Sequence, residues 1–260
     1  MTEEASPDSS HERPRVKAAA GSVRTPVLLL VALVVLIVVS AGFVVVAVRH
    51  HNAAQAPVSL RATGVPASIS TRIADLMALS PVPNHEAPSF TLTDQNGHAI
   101  SLSSMRGKAV VLEFMDPHCV DICPIVSQEF VDAYHDLGAQ ASKVIFVAIN
   151  VNKYFASVTD MKTFTNEHRL NTIPSWHFLT GPVAGLPAIW HAYGIDVIAP
   201  TPTSDIIHTS VMYFIDPKGH ERFLANPMVD HTSKGSAYLP ATSLTAWGHG
   251  IALTLKDLIK

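Results

Sequence analysis

The two cysteines are the residues of this chain whose types and spacing say most about chemistry. Cys119 and Cys123 are the only cysteines among 260 residues, and they stand four positions apart after an apolar run. Thiolates bind soft metal ions and exchange disulfides, and two thiols at this range can do either. A structural disulfide is a third interpretation, but it would close a very short loop and therefore stabilise little.

The residues around the cysteines predict where the thiols lie. Lys108–Met115 is a buried-strand run, and Val126 and Phe130 begin an apolar pattern at helical spacing after Pro124. Proline suits the first helical position and disfavours helical backbone in the residue before it, so we expect Cys123 to cap the helix. Both thiols then lie near a helix N-terminus, whose partial positive charge favours the thiolate.

Two sulfurs do not complete a metal site, so a third donor is expected, and histidine is the usual one. The chain has 14 histidines, and composition does not choose among them. His208 is favoured by position, because it follows a Pro- and Thr-rich loop at 199–204 and precedes the predicted strand Ser210–Ile215. Such a loop can bring an imidazole to the cysteines. Met228 and His231 lie in a polar loop, where solvation explains them more simply than metal binding.

The N-terminal part predicts a membrane anchor. No charged residue lies between Arg24 and Arg49, and an apolar helix over 25–48 is long enough to span a hydrocarbon core of ~30 Å at ~1.5 Å per residue. Basic residues before the span predict a cytoplasmic N-terminus and an extracytoplasmic C-terminal domain at the cell membrane. A cleaved signal peptide is the alternative, since Ala54 and Ala56 have small-x-small spacing, but its apolar core would be unusually long.

Four parts follow from this division. We expect a disordered cytoplasmic tail over 1–24, the anchor over 25–48, a linker over 49–84 with a short helix near Thr71–Leu79, and one globular domain over 85–260. The net charge of −3 offers no basic field for nucleic acid, so no nucleic-acid partner is expected.

Within the domain, strands alternate with helices. Asn96-Gly97 lies at the centre of a predicted hairpin over Phe90–Leu102. The pattern predicts further strands at Val144–Ile149, Trp176–Leu179, Ser210–Ile215 and Glu221–Leu224, and helices at Val158–Leu170, Val183–Tyr193 and Thr242–Ile259. This order predicts an α/β domain with a mixed sheet covered by helices on both faces.

Two segments of the chain resemble one known family. Arg106–Pro124 and His208–Gly219 together resemble the Sco/SenC family of copper proteins. The resemblance implies a thioredoxin-like fold held outside the membrane by an N-terminal helix, with copper bound by Cys119, Cys123 and His208. It also implies a role in assembly of the dinuclear copper centre of cytochrome c oxidase, by metal delivery, by reduction of the target's cysteines, or both, and it favours a metallochaperone over an enzyme. The partner would be the copper-bearing subunit of that oxidase.

Three positions depart from the usual pattern of this family. Ile207 stands where an acidic residue usually precedes the histidine, and Val120 stands where proline usually follows the first cysteine. Residues 150–153 read Asn-Val-Asn-Lys where members often have Asp-Pro-x-x-Asp, while Asp121 matches. These differences leave the three expected copper donors intact.

A thiol-disulfide oxidoreductase is the alternative function. In that case Cys119 and Cys123 are a redox-active catalytic pair that reduces cysteines of an extracytoplasmic partner, and metal has no part. Most dithiol oxidoreductases of this fold have two residues between their cysteines and need no remote histidine. The three-residue spacing and His208 therefore favour copper binding.

Overall fold

The structure is a computed structural model of the chain. It divides into two compact units, Met1–Val58 and Ser59–Lys260. The residues that it describes are 63–260 together with Leu33, Leu36 and Ile37.

The predicted tail over 1–24 lies outside the described residues, and so does the predicted anchor over 25–48 except for three helical, exposed positions. In the part of the chain that the structure describes, no helix is long and apolar enough to cross a membrane.

The second unit is built on a six-stranded mixed sheet with three short hairpins beside it. The strands are β1 (Ser80–Glu86), β2 (Thr91–Thr93), β3 (Ala99–Ser101), β4 (Ala109–Met115), β5 (Val144–Asn150), β6 (Trp176–Leu179), β7 (Val197–Ile198), β8 (Ile207–His208), β9 (Met212–Ile215), β10 (His220–Ala225), β11 (Asp230–His231) and β12 (Ala237–Tyr238). The order in the large sheet is β1-β10-β9-β4-β5-β6. The pairs β4–β5 and β5–β6 are parallel, and the other neighbours are antiparallel.

The central strands show why the sequence folds this way. Every residue of β4 and β5 is buried, as expected for parallel strands that are covered on both faces and therefore lack polar alternation. The predicted hairpin is confirmed, since β2 and β3 pair around Gly97, whose φ of +84° suits a glycine at the turn.

Helices cover both faces of the sheet. They are α1 (Thr71–Leu76), α2 (Ile122–Leu137), α3 (Val158–Glu167), α4 (Leu186–Ala192) and α5 (Ala241–Leu258). One apolar core joins the sheet to α1, α2, α3 and α5, and a second joins its other face to α4 and the β2–β3 hairpin. The predicted α/β fold, a mixed sheet covered by helices on both faces, is confirmed.

The last helix contains two glycines that allow close packing. A Cβ on Gly248 would lie 2.6 Å from Cβ of Asp132 on α2, and one on Gly250 would lie 2.3 Å from Sδ of Met77. These positions interrupt the apolar pattern of the sequence, yet α5 is continuous from Ala241 to Leu258. The glycines therefore bring α5 against its neighbours.

The start of α2 differs from the prediction. The helix begins at Ile122 with Asp121 as its N-cap, so Cys123 lies inside the first turn and does not cap the helix. The first N–H groups of a helix have no partner within it, so a proline at the third position sacrifices no hydrogen bond. The proline therefore marks the first turn of the helix but not its first residue.

The boundary of the packed unit also differs from the expected linker over 49–84. Strand β1 begins at Ser80 and pairs with β10, and the buried residues Ile69, Met77 and Leu79 belong to the core beneath α5. The composition of this segment does not indicate that it packs in the core, because its few apolar residues stand among many small and polar ones.

Candidate metal centre

The cysteines lie where the central strand β4 passes into α2. The loop 116–121 joins the two elements, so both thiols are at the carboxyl end of a buried parallel strand. Cys123 is 2% exposed and packs in the core, whereas Cys119 is partly exposed. Neither forms a disulfide. The more accessible thiol is therefore Cys119.

The two thiols have opposite electrostatic surroundings. The pKa of Cys119 is lowered to about 7, first because the Cys123 thiol donates to its sulfur and then because the backbone N–H groups of Cys123 and Asp121 do so. Burial and the charge of Asp116 act against this shift. The pKa of Cys123 is raised, because its proton is shared with Cys119 and because it is buried. Cys119 is therefore the thiol that loses its proton first, and the remaining proton of the pair is held on Cys123.

Asp116 organises the loop between strand and helix. Its Oδ1 accepts the backbone N–H of His118 at 2.8 Å and Nδ2 of Asn152 at 2.9 Å, and its carbonyl accepts the N–H of Cys119 at 3.1 Å. Its own backbone N–H donates to the sulfur of Cys123. One buried residue thus holds both ends of the dithiol loop.

His208 lies in the short strand β8, which pairs with β7. Its Nδ1 lies 2.9 Å from the carbonyl oxygen of Thr209, and since a carbonyl only accepts, Nδ1 carries the proton and Nε2 keeps a free lone pair. Burial lowers the pKa of this imidazole, while the Thr209 carbonyl and the charge of Asp116 act the other way. A neutral imidazole held by its second nitrogen is the form in which histidine ligates metals.

The charge of Asp116 raises the pKa of Cys119, of Cys123 and of His208, so all three expected donors lie within electrostatic range of this carboxylate. They do not form a completed site. Within residues 63–260 and the three described N-terminal positions, no group of three His, Cys, Asp or Glu side chains is arranged to hold one metal ion. The dithiol and the histidine are therefore separate halves, and His208 as a ligand stays a prediction.

Two other histidines near the loop have partners of their own. The ring of His118 stacks on Phe155 with centroids 3.6 Å apart. His231 Nε2 lies 3.0 Å from Oδ1 of Asp121, between the cysteines. Met228 is 54% exposed.

Sequence reasoning missed the amides that support the site. Asn152 is 3% exposed and contacts Asp116, and Nδ2 of Asn150 donates to the carbonyl of Asn152 at 2.9 Å. The signal was present, because two asparagines at the end of one parallel strand lie beside the loop that ends the neighbouring strand. The sequence shows that these asparagines depart from the usual family pattern, but it does not show their contact with the cysteine loop.

The fold and the site define a class of protein: an α/β domain with a mixed sheet and a free dithiol where a central strand passes into a helix. The sequence profile of the SCO1/SenC family matches residues 80–233, which is more than half of the chain. The chain belongs to the SCO1/SenC family.

Known relatives agree with this assignment. The SCO1 protein homolog of Bacillus subtilis (strain 168) is 26% identical over 138 residues, which are 52% of this chain and 71% of the relative. ScoI of Bradyrhizobium japonicum, solved with copper bound, is 25% identical with a TM-score of 0.52, over 67% of this chain and 99% of that one. A SCO1/SenC family lipoprotein of Bacillus anthracis str. Ames shares the fold, with a TM-score of 0.56 at 20% identity, over 70% of this chain and 98% of its own.

Proposed function

We propose that this chain is an extracytoplasmic copper chaperone, anchored by a helix over residues 25–48, that acts in assembly of the dinuclear copper centre of cytochrome c oxidase. Copper is its cargo, bound by Cys119, Cys123 and His208. The observation that carries the proposal is the pair of free thiols, Cys119 and Cys123, at the point where β4 passes into α2. Membership of the SCO1/SenC family and the copper bound to the Bradyrhizobium relative support it.

The donor set fits copper. Thiolate sulfur and neutral imidazole are soft and borderline ligands, which suit copper. Because both thiols must lose protons to bind, copper affinity falls as the pH drops, and it falls more steeply below the Cys119 pKa of about 7. Since the two halves are separate, binding requires the β7–β8 hairpin to bring Nε2 of His208 to the sulfurs.

Delivery requires a partner to reach the metal. Val120 between the cysteines is 91% exposed, and Ile207 beside His208 is 65% exposed. Apolar side chains exposed next to the donors favour protein contact at this edge of the domain. We propose the copper-bearing subunit of the oxidase as that partner.

Anaerobic copper titration of the full reduced chain tests the proposal. We expect one equivalent bound by the native chain, none bound tightly by Cys119→Ser or Cys123→Ser, and affinity weakened by at least ~10-fold in His208→Ala. His249→Ala is the matched control, because its ring contacts Asp136 on the far part of α2. A native chain that binds no copper contradicts the chaperone function, and an unchanged His208→Ala contradicts the third ligand.

The two different thiol pKa values favour one second candidate, a thiol-disulfide oxidoreductase. The Cys119 thiolate would attack a partner disulfide and release one partner thiolate, and Cys123, once deprotonated, would attack the Cys119 sulfur and release the other. The dithiol loses two electrons and the partner disulfide gains them. A disulfide-exchange assay on the same sample separates the functions: fast reduction with weak copper binding supports the oxidoreductase, and the reverse supports the chaperone.

A further inference from the structure

We propose that Asn152 is the positioning residue that couples the dithiol loop to the histidine hairpin, so that the two halves of the site close together. This inference rests on the proposed copper function, but the contacts that carry it do not depend on copper. Asn152 follows strand β5 and contacts both Asp116 in the loop after β4 and the backbone of Tyr154, whose side chain contacts the β7–β8 hairpin.

On the dithiol side, the contact runs through Asp116. Nδ2 of Asn152 donates to Oδ1 of Asp116 at 2.9 Å, and the same oxygen accepts the N–H of His118, the residue before Cys119. Removing the amide leaves a buried carboxylate without one of its donors, a change that frees the loop to move.

On the histidine side, the contact runs through the two residues that follow Lys153. Oδ1 of Asn152 accepts the backbone N–H groups of Tyr154 at 3.0 Å and Phe155 at 3.4 Å. Oη of Tyr154 then donates to the carbonyl of Ala199 at 2.9 Å. Ala199 directly follows β7, where Val197 pairs with His208.

Phe155 supplies a second link in the same segment. Its ring stacks on His118 at 3.6 Å between centroids with an angle of 20° between planes. The Tyr154 side of the segment thus touches the histidine hairpin, while the Phe155 side touches the cysteine loop. Asn152 fixes both by holding their backbone N–H groups.

The chemistry of the site requires an amide at this position. Asn152 donates to a carboxylate with one end and accepts two N–H groups with the other, which neither a carboxylate nor an apolar group can do. Its own backbone is also held, since its N–H donates to Oδ1 of Asn150 at 2.7 Å. That residue is in turn fixed by the indole N–H of Trp190, which donates to its carbonyl at 2.9 Å.

The test is a double-mutant cycle on the full reduced chain, with copper affinity measured for the native protein, Asn152→Leu, His208→Ala and the double variant. We expect His208→Ala to weaken copper binding by at least ~10-fold in the native background and by less than ~2-fold in Asn152→Leu. Equal effects of His208→Ala in both backgrounds overturn the coupling. Asn171→Leu, at an exposed position, is the matched control and leaves the native effect unchanged.

A metal-free arm separates failure of the inference from failure of the copper function. In the reduced chain without copper, we expect Asn152→Leu to change the alkylation rate of Cys119 and to shift the imidazole NMR signals of His208. A change at Cys119 with no change at His208 shows a role confined to the dithiol loop and overturns the proposal. Asn171→Leu changes neither.

Tyr154→Phe keeps the test decisive if Asn152→Leu does not fold. It removes only the hydroxyl that contacts Ala199, so we expect the His208 signals to shift and the effect of His208→Ala on copper affinity to shrink by at least ~3-fold. Unchanged values for both overturn the link through the hairpin.

Discussion

Two buried acidic centres lie close to α2, and their surroundings differ. Asp116 at the dithiol loop is surrounded by donors, from Asn152 and from the backbone of His118. In the core beneath the helix, one oxygen of Glu113 and both carboxylate oxygens of Glu129 have no hydrogen-bond partner among the described residues. Partnered carboxylates can fix geometry, whereas unpartnered ones are held neutral and give no direction. Asp116 is therefore suited to fixing the geometry of the dithiol loop, whereas Glu113 and Glu129 contribute buried side chains to the core.

The pKa shifts of the core pair agree with this difference. Burial raises the pKa of Glu113 to about 8, against a small opposing contribution from the N–H of Phe114. Burial also raises the pKa of Glu129, and the charges of Glu113 and Asp132 add to that rise. Glu113 therefore stays mostly protonated at neutral pH in the folded state, and burial favours the neutral form of Glu129 as well.

The largest expected effect is a fall in the free energy of unfolding as the pH rises from acid values to about 8. In the unfolded chain Glu113 loses its proton near pH 4.5, whereas in the folded protein it keeps it to about pH 8. The folded state binds more protons in this window, so the free energy of unfolding falls as pH rises from 4.5 to 8. For Glu113 this loss amounts to about 5 kcal/mol.

Urea unfolding between pH 5 and 9 measures this effect. Glu113→Gln cannot ionise, so we expect its stability relative to the native chain to improve up to about pH 8 and to level off above it. Glu167→Gln, at an exposed position, is the control and follows the native curve. Parallel curves for the native chain and Glu113→Gln would show that the carboxyl has a compensating partner, which removes the contrast with Asp116.

How much of this the sequence could predict depends on the range of the interactions. Local patterns predicted β4, β5, the Asn96-Gly97 hairpin and the position of the cysteines after a buried strand. They misplaced the start of α2 by two residues, because a proline is tolerated anywhere in the first helical turn. The strand β1 was assigned to the linker because only its pairing with distant β10 shows that it belongs to the sheet.

The candidate site was predictable in its residue types but not in its support. Cys119 and Cys123 could be chosen because they are the only thiols, whereas Asn152 became visible only through its contact with Asp116, 36 residues away in the chain. Glu113 was part of a run assigned as a buried strand, but a sequence pattern does not show whether a buried carboxyl finds a donor. Partners that are distant in sequence therefore account for most of what the pattern missed.

An effect of intermediate size is expected at the dithiol, where hydrogen-bond donors lower the pKa of Cys119 and so raise its reactivity near neutral pH. Alkylation of Cys119 in the reduced, metal-free chain should have a midpoint near pH 7, because the Cys123 thiol donates to its sulfur. Cys123→Ala removes that donor, so the midpoint rises, and each unit of rise lowers the thiolate fraction below the midpoint by ~10-fold. Rates of iodoacetamide labelling between pH 5 and 9 measure it.

The control for this experiment is Val120→Ala, because the Val120 side chain is 91% exposed. We expect its labelling midpoint to match that of the native chain. A midpoint that stays near 7 in Cys123→Ala would assign the shift to the backbone donors of the helix start instead. The backbone N–H groups at the start of α2 would then account for the lowered pKa of Cys119. The contrast between the two buried centres would come from backbone donors and not from side-chain donors.

The smallest effect is expected at the surface contact between His231 and Asp121. The two side chains lie 3.0 Å apart, but they are 47% and 52% exposed, so solvent screens the pair to less than ~1 kcal/mol. His231→Gln should therefore leave the urea midpoint and the copper affinity close to native, unlike a change at Asn152. A copper affinity reduced as far as in His208→Ala would instead make His231 an additional ligand. Strand β11, which carries His231, would then belong to the metal site and not to the solvated surface.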